Sequence, residues 1–477
     1  MSEPKRLHPA ALILLIVQSI KSSIVLIIPL FIGKNTLFRW IIGAIILLSI
    51  AHSILNYWFT KYLVSDDHIQ LFEGIFFKKV KTVPYERIQT IHQNQWFFFQ
   101  PFHLVELKID TATNEGSDAE IHLLSVPETV LESIEANRHP TQTKEKTTAD
   151  AVISPNSDSR ASYEVQMRDI FLYGVTDLKI IATFSALVAL INNFLPKSIM
   201  NYLEHEGEKI WRAGIIIFLF ALILLILFLI LSSVFHHFIK YYRFKIQRTT
   251  DHLRIESGLF KREIKVLPIA KIQAVTLKQQ PLRRLLKLTT VQLLVLGDQK
   301  EDKEDISGKV VFIPIISATT VYDKLAEFLP EFALNEPTLR TVTKNSLRTI
   351  WYFIRWPLIL IPLLMIGGYF HLWLGIALTL LFLYCILIGL YKRHLQGYEL
   401  SDTKFTIQTS HGFTKALTIV ERKKIQSLSV DTSKWLYPKH RGHVNLFIKT
   451  GSSPHSLDLR YMDLAHCYKL RNEYRKS

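Results

Sequence analysis

Hydrophobic and polar positions along the chain follow two patterns that alternate three times. Long apolar runs lie near residues 10–32, 37–58, 171–194, 214–237, 350–370 and 372–391. Each is long enough, at about 20 residues, for a helix to cross a hydrocarbon core. The run at 214–237 contains no Asp, Glu, Lys or Arg. The runs come in close pairs, which predicts three helical hairpins; a soluble core would be hard pressed to bury three such pairs. Short segments with strand character follow each pair. Residues 104–109 alternate apolar and polar as a half-buried strand does, and 69–72, 75–77, 80–84, 88–91 and 119–124 are further candidates. The matching stretches later are 291–295 and 310–313, then 444–448 and 457–459. A short amphipathic helix is predicted to close each set. The first follows the capping pattern Ser125-Val126-Pro127-Glu128, the second carries Val321, Leu325 and Phe328 on one face, and the third Met462, Leu464, Tyr468 and Leu470.

The strand-rich stretches are copies of one another. Gly74, Gly258 and Gly412 align, as do Ile88-Gln89, Ile272-Gln273 and Ile425-Gln426. A repeat of this kind makes each copy one structural unit. The unit is a membrane hairpin followed by a small β-rich domain, expected to be an open barrel plugged by its terminal helix. The expected divisions are hairpin 10–58 and domain 59–137, a flexible linker 138–165, hairpin 171–237 and domain 241–330, then hairpin 350–391 and domain 392–477. The recurring glycine is expected to allow positive φ at a turn. The isoleucine is expected in the core, and the glutamine is expected to satisfy backbone groups at a strand end.

The order of these features resembles the bacterial pleckstrin-homology (bPH2-type) membrane family: two spans, the Gly74 turn, the Pro84 to Ile88-Gln89 element and a β-rich tail. Here the set is written three times. The resemblance covers nearly the whole chain. It implies a multi-pass α-helical membrane protein with three pleckstrin-homology-like domains, each of two orthogonal sheets and a C-terminal helix. It also implies a smaller membrane protein with one such domain as partner, and a role in envelope stress or tolerance of membrane-active peptides. The third copy departs from the pattern, with Glu421 where Pro84 and Pro268 stand and Lys404 in place of the pairs Asp67-His68 and Asp251-His252.

Charge separates the copies. The formal net charge of the chain is +16. Residues 59–137 hold 6 basic and 12 acidic side chains, a balance of −6. Residues 241–330 hold 16 and 10, or +6, and 392–477 hold 16 and 7, or +9. Basic flanks such as Lys240, Arg243, Lys392 and Arg393 favour domains and both termini on the cytoplasmic side, although Lys34 and Arg39 in an outer loop weigh against it. A basic domain tethered there faces an anionic leaflet, which attracts each nearby Lys or Arg by about 1 kcal/mol. Nucleic acid is not an expected partner, since no helix-turn-helix, RNP or zinc-finger spacing occurs. Cys385 and Cys467 suggest neither a disulfide framework nor a metal.

Three corresponding stretches stand out as candidate surfaces. In the second copy, 281–288 alternates leucines with Arg283, Arg284 and Lys287 as a basic amphipathic helix would, a candidate for anionic lipid or a partner. An ordinary loop helix covering its own domain explains the pattern equally. The first copy has the uncharged Trp96, Phe97, Phe98 and Phe99, which suit an interface. The third combines Lys434, Trp435, Lys439 and Arg441. Basic runs at Lys78-Lys79-Lys81, Lys261-Arg262-Lys265 and Arg422-Lys423-Lys424 are weaker headgroup candidates, more simply read as solvated faces. Within the spans, Lys21 lies deepest and is the candidate polar contact, while Asp177, Lys179 and Arg355 lie near span ends. Pro29 and Pro357 suggest kinks.

No GxSxG, HExxH, P-loop or GxGxxG occurs, and the 18 histidines form no metal-binding spacing. The expectation is a non-enzymatic membrane scaffold without cofactor or metal, whose domains bind the membrane surface or partner proteins. The alternative, a transporter or lipid-handling protein, would need a polar interior among the spans.

Overall fold

The computed structural model describes residues 4–23, 36–75, 77–111, 121–138, 161–177, 215–296, 309–332, 334–341, 347–370, 372–449 and 455–475. Much of the expected linker, the acidic run at 298–305, Lys34, Pro29, Lys179 and the far ends of the first and third predicted spans lie outside these residues. The described chain divides into two compact units, Met1–Val266 and Leu267–Ser477.

The first unit opens with β1 (Lys5–Arg6), α1 (Ala11–Ser22) and α2 (Thr36–Phe59). Strands β2 (Lys61–Val64), β3 (His68–Glu73) and β4 (Lys79–Pro84) follow and form an antiparallel sheet in the order β1-β2-β3-β4. Next come β5 (Ile88–Trp96), β6 (Leu104–Thr111), β7 (Ile121–Pro127) and helix α3 (Glu128–Arg138). Tyr62, Ile69, Leu71 and Val83 of one sheet and Ile91, Val105, Leu107, Ile109, Ile121 and Leu123 of the other share a buried core with Ile134 of α3. Removing such side chains from water contributes about 25 cal/mol per Å² of apolar surface. This is two packed sheets and a C-terminal helix, as the family resemblance implies.

The second hairpin contributes β8 (Ala161–Glu164), α4 (Met167–Thr176) and α5 (Ile215–Tyr241). Then β9 (Lys245–Arg248), β10 (His252–Ser257) and β11 (Lys261–Pro268) form the first sheet of the second copy. That sheet is not separate. Strand β11 pairs antiparallel with β5, so the order runs β7-β6-β5-β11-β10-β9-β8 across two copies.

The second unit repeats this device. Strands β12 (Ile272–Gln279), β13 (Leu288–Val295) and β14 (Lys309–Ser317), with α6 (Pro281–Leu285) and α7 (Val321–Phe328), complete the second copy. The third hairpin follows β15 (Arg340–Thr341) and consists of α8 (Leu347–Ile354), a 3-10 turn at Trp356–Ile359, α9 (Leu360–Phe370) and α10 (Leu372–Leu395). Then come β16 (Gly397–Leu400), β17 (Lys404–His411), β18 (Thr414–Glu421), β19 (Ile425–Asp431), β20 (Arg441–Ile448), β21 (His455–Asp463) and α11 (Leu464–Arg475). Strand β18 pairs with β12, giving the order β14-β13-β12-β18-β17-β16-β15, while β19-β20-β21 stand as a separate sheet. The expectation of three self-contained barrels is therefore corrected: the second sheet of one copy is continuous with the first sheet of the next. Alternation of side chains specifies which face is buried, but it leaves open which strand lies alongside.

The repeat motif has local causes. Gly74 and Gly258 have φ of 110° and 113°. A Cβ on either would collide with a carbonyl, that of Phe77 or of Lys261. The Ile-Gln element marks a bulge: the ladder slips between Ile88 and Thr90, Ile272 and Ala274, and Ile425 and Ser427, one glutamine at each. Gln273 Nε2 donates to the Lys271 carbonyl at 3.2 Å, satisfying backbone where the strand begins.

Among the described residues, three stretches are long and apolar enough to cross a membrane: Arg39–Phe59, Ile223–Tyr241 and Leu378–Leu395. The fifth predicted span is interrupted at Pro357, which lacks a donor for helical continuation, and α8 and α9 flank the break.

Candidate interaction surfaces

The three candidate stretches form one backbone device. After the leading strand of each second sheet, the chain makes a tight helical turn and ends it on a left-handed residue: His103, Lys287 or His440, with φ of 49°, 54° and 53°. Four residues earlier, Phe99, Arg283 and Leu436 each point inward and are buried. The copies thus share a frame and differ in what fills it.

In the second copy Arg283 is only 3 % exposed. Its Nη1 donates to Thr290 Oγ1 at 2.7 Å, and Thr290 donates onward to the Pro314 carbonyl at 2.7 Å. A buried guanidinium requires such partners. Arg284 is exposed, lies over the ring of Tyr391 on α10 at 5.8 Å, and donates to its hydroxyl at 2.9 Å. Lys287 is the exposed left-handed residue, and its carbonyl accepts from Ala318 N at 2.8 Å. Beside these basic groups, Leu282, Leu285 and Leu286 point outward, Leu285 being 80 % exposed.

In the first copy Phe99 packs with Leu104 and with Leu14 of α1, while Trp96 and Phe98 border them. Phe97 projects outward, edge-on to Phe98 and to Phe260. Trp96 Nε1 donates to Glu106 Oε2 at 3.0 Å, and His122 Nε2 stands 2.8 Å from Glu106 Oε1. Burial alone would raise the Glu106 pKa. The hydrogen bond and charge of His122, with Lys261 and Lys108 nearby, instead hold it below the usual carboxylate value.

In the third copy Leu436 packs with Tyr461 and with Tyr352 and Phe353 of α8. Trp435, 81 % exposed, projects outward beside Lys434 and Tyr437. Lys439 lies over Tyr352 at 5.7 Å, and Arg441 Nη1 donates to the Tyr461 carbonyl at 3.3 Å. Arg355 stands between Tyr352, Tyr461 and Trp356, 5.5 to 5.9 Å from the three rings. Arg441 also lines a cleft of about 450 Å³ with Arg340, Tyr398, Asp463, Lys469 and Glu473. The first and third turns therefore pack on a hairpin helix, the second touches α10 through Arg284 and Tyr391, and all three expose further large apolar side chains.

The weaker basic runs are largely engaged. Lys81 pairs with Glu73 at 3.1 Å, Lys261 with Glu263 at 3.1 Å, and Lys424 with Glu421 at 3.2 Å. Arg262 pairs with Glu256, and Arg422 donates to the Glu473 carbonyl at 2.9 Å. Lys21 is exposed on α1. The polar contact between α1 and α2 comes instead from Ser19, whose Oγ lies 3.0 Å from Ser49 Oγ and 2.8 Å from Ser53 Oγ. Asp177 does not reach outward: its Oδ2 is 2.9 Å from His237 Nε2, and both are buried between α4 and α5. There Ser233 Oγ donates to the Gly174 carbonyl at 2.7 Å, and a Cβ on Gly174 would stand 2.6 Å from Val234 Cα. Sequence reading missed this pair and the Glu106 centre. Asp177 stands out in the sequence as a charged residue near a span end, but nothing in the order of residues joins it to His237. No group of His, Cys, Asp or Glu among the described residues is arranged to hold a metal.

Continuous antiparallel sheets, a strand-and-helix frame written three times and a hairpin before each define a repeated pleckstrin-homology-like architecture. The chain belongs to the bacterial PH domain family, whose model matches residues 13–136, 193–329 and 358–477. It is similar to the UPF0699 transmembrane protein YdbT of Bacillus subtilis (strain 168), with 25 % identity covering 96 % of each chain.

Proposed function

We propose that the chain is a non-enzymatic membrane scaffold. Three hairpins, six spans in all, would hold it in the cell membrane with both termini and all three domains on the cytoplasmic side. The observation that carries this reading is the shared placement of the three turns. Each touches a hairpin helix, the second through Arg284 and Tyr391, and presents exposed leucines or aromatics, in the second and third copies beside cations. Apolar side chains flanked by Lys or Arg suit the boundary between acyl chains and anionic headgroups. Helix α2 adds support: exposed Trp40 and Trp58 stand 18 residues apart, which at 1.5 Å per residue is about 27 Å, close to the hydrocarbon thickness. The similarity to a protein named as transmembrane points the same way. A smaller membrane protein with one such domain is the proposed partner, and envelope stress or tolerance of membrane-active peptides the proposed setting.

The test uses the full chain, with Leu285→Cys or Trp435→Cys carrying a polarity-sensitive fluorophore, in bilayers of neutral or anionic lipid. Emission typical of an apolar medium, quenched by lipid-borne quenchers, is the expected result. Water-like, unquenched emission at both sites sinks the proposal.

A further inference from the structure

Among the outer sheet edges of the described residues, those of β4 and β19 are the two halves of a contact that the chain makes twice. Strand β5 of the first copy pairs with β11 of the second, and β12 of the second pairs with β18 of the third. Both junctions obey one register. Trp96, eight residues after Ile88, faces Lys261, seven before Pro268. Ala274, two after Ile272, faces Val420, one before Glu421. Among the described residues, no strand pairs with the outer edge of β4, the first-copy counterpart of β11 and β18, or of β19, the third-copy counterpart of β5 and β12.

We propose that β19 of one chain pairs antiparallel with β4 of a second copy of this chain, joining chains head to tail. The inference does not depend on contact with lipid. The shared register sets Ser427 opposite Val83, Leu428 opposite Thr82, Ser429 opposite Lys81, Val430 opposite Val80 and Asp431 opposite Lys79. It therefore brings a carboxylate against an ammonium and two β-branched side chains against each other, both favourable cross-strand pairs. Burial supports the match. Val80 is 54 % exposed, whereas its counterparts Ile264 and Leu417 are buried within junctions. Leu428 and Val430 are half-buried, where Val275 and Leu277 on β12 are buried. Lysines on an open edge discourage indiscriminate pairing; this register admits the one strand that sets Asp431 against Lys79. Every chain carries both halves, so each offers its neighbours the edge that they lack. The two surfaces differ, which makes the contact heterologous and able to propagate into a ring or a string.

Two differently tagged full-length chains, one Ser429→Cys and the other Lys81→Cys, are co-expressed and oxidised in native membranes. A disulfide-linked species carrying both tags is expected, in several-fold excess over the product of Ser429→Cys with Thr82→Cys, whose side chain faces the other way. No linkage overturns the proposal, as does equal linkage at residue 82. So does a single chain bearing both Ser429→Cys and Lys81→Cys that cross-links wholly within itself. Asp431→Lys in the first chain should reduce linkage several-fold, and Lys79→Asp in the second should restore it. Failure of that rescue also overturns the register.

Discussion

The turns of the first and second copies have the same backbone and opposite chemistry. At one buried position the first carries Phe99 and the second Arg283. Beside it, the first places the carboxylate of Glu106 under Trp96 and His122, while the second places the hydroxyl of Thr290 under Arg283. The left-handed residue that ends each turn fixes the path, and the pocket beneath accepts an aromatic ring or a guanidinium provided each finds its partners. A basic residue in this stretch is therefore not automatically a ligand-facing one. Arg283 serves the interior, and Arg284 and Lys287 remain at the surface.

That contrast can be broken most forcefully at the buried position. Phe99→Ala is expected to cost about 3–5 kcal/mol by opening a cavity under α1. Arg283→Phe, which writes the first copy into the second, should cost far less than Arg283→Ala. Denaturant unfolding of the full chain in detergent measures all three, and equal losses for the two Arg283 variants would show that the guanidinium is not acting as filler. The polar centre comes next. Glu106→Gln is expected to cost about 1–3 kcal/mol at neutral pH. The folded pKa of Glu106 lies below the unfolded value, so its contribution is present above the unfolded pKa and is lost as pH falls through the folded one. The variant should flatten the acid limb of the stability profile, and a parallel profile would refute the assignment. The smallest effect is expected at the turn's end, where Lys287→Gly should stabilise by up to about 1 kcal/mol, because glycine carries no penalty at positive φ. A net loss there would mean that the Lys287 side chain does more than tolerate its backbone.

A related pH effect separates the third copy. Burial, with Lys309, His411 and Lys278 nearby, pushes His455 down to about 4. A histidine kept neutral in the fold contributes stability above its unfolded pKa of about 6.5, and that contribution is lost as pH falls toward the folded value. His455→Gln should remove this dependence in unfolding monitored between pH 7 and 4.

Much of this was legible in the order of residues. The apolar runs predicted α2, α5 and α10, and alternation predicted strands such as β6. The recurring glycine marked a turn, and Gly74 and Gly258 meet it with positive φ. The stretch 281–288 read as amphipathic, but helical spacing could not tell that Arg283 turns inward to Thr290, since one turn of helix offers basic residues to both sides. Lys21 drew attention by its charge, yet Ser19 makes the helix contact. Small hydroxyls let helices approach closely, and hydropathy gives them little weight.

By itself the sequence determined the periodicity of each element, the threefold repeat and the unequal charge of the copies, because these depend on neighbours along the chain. Only the tertiary structure decided that β5 lies beside β11 and β12 beside β18, that Asp177 meets His237, and that, among the described residues, β4 and β19 keep open edges. The physical reason is that a strand's side chains declare its faces, whereas its edges are backbone N–H and C=O groups, the same in every residue but proline. Which edge meets which is settled by the packing of the whole.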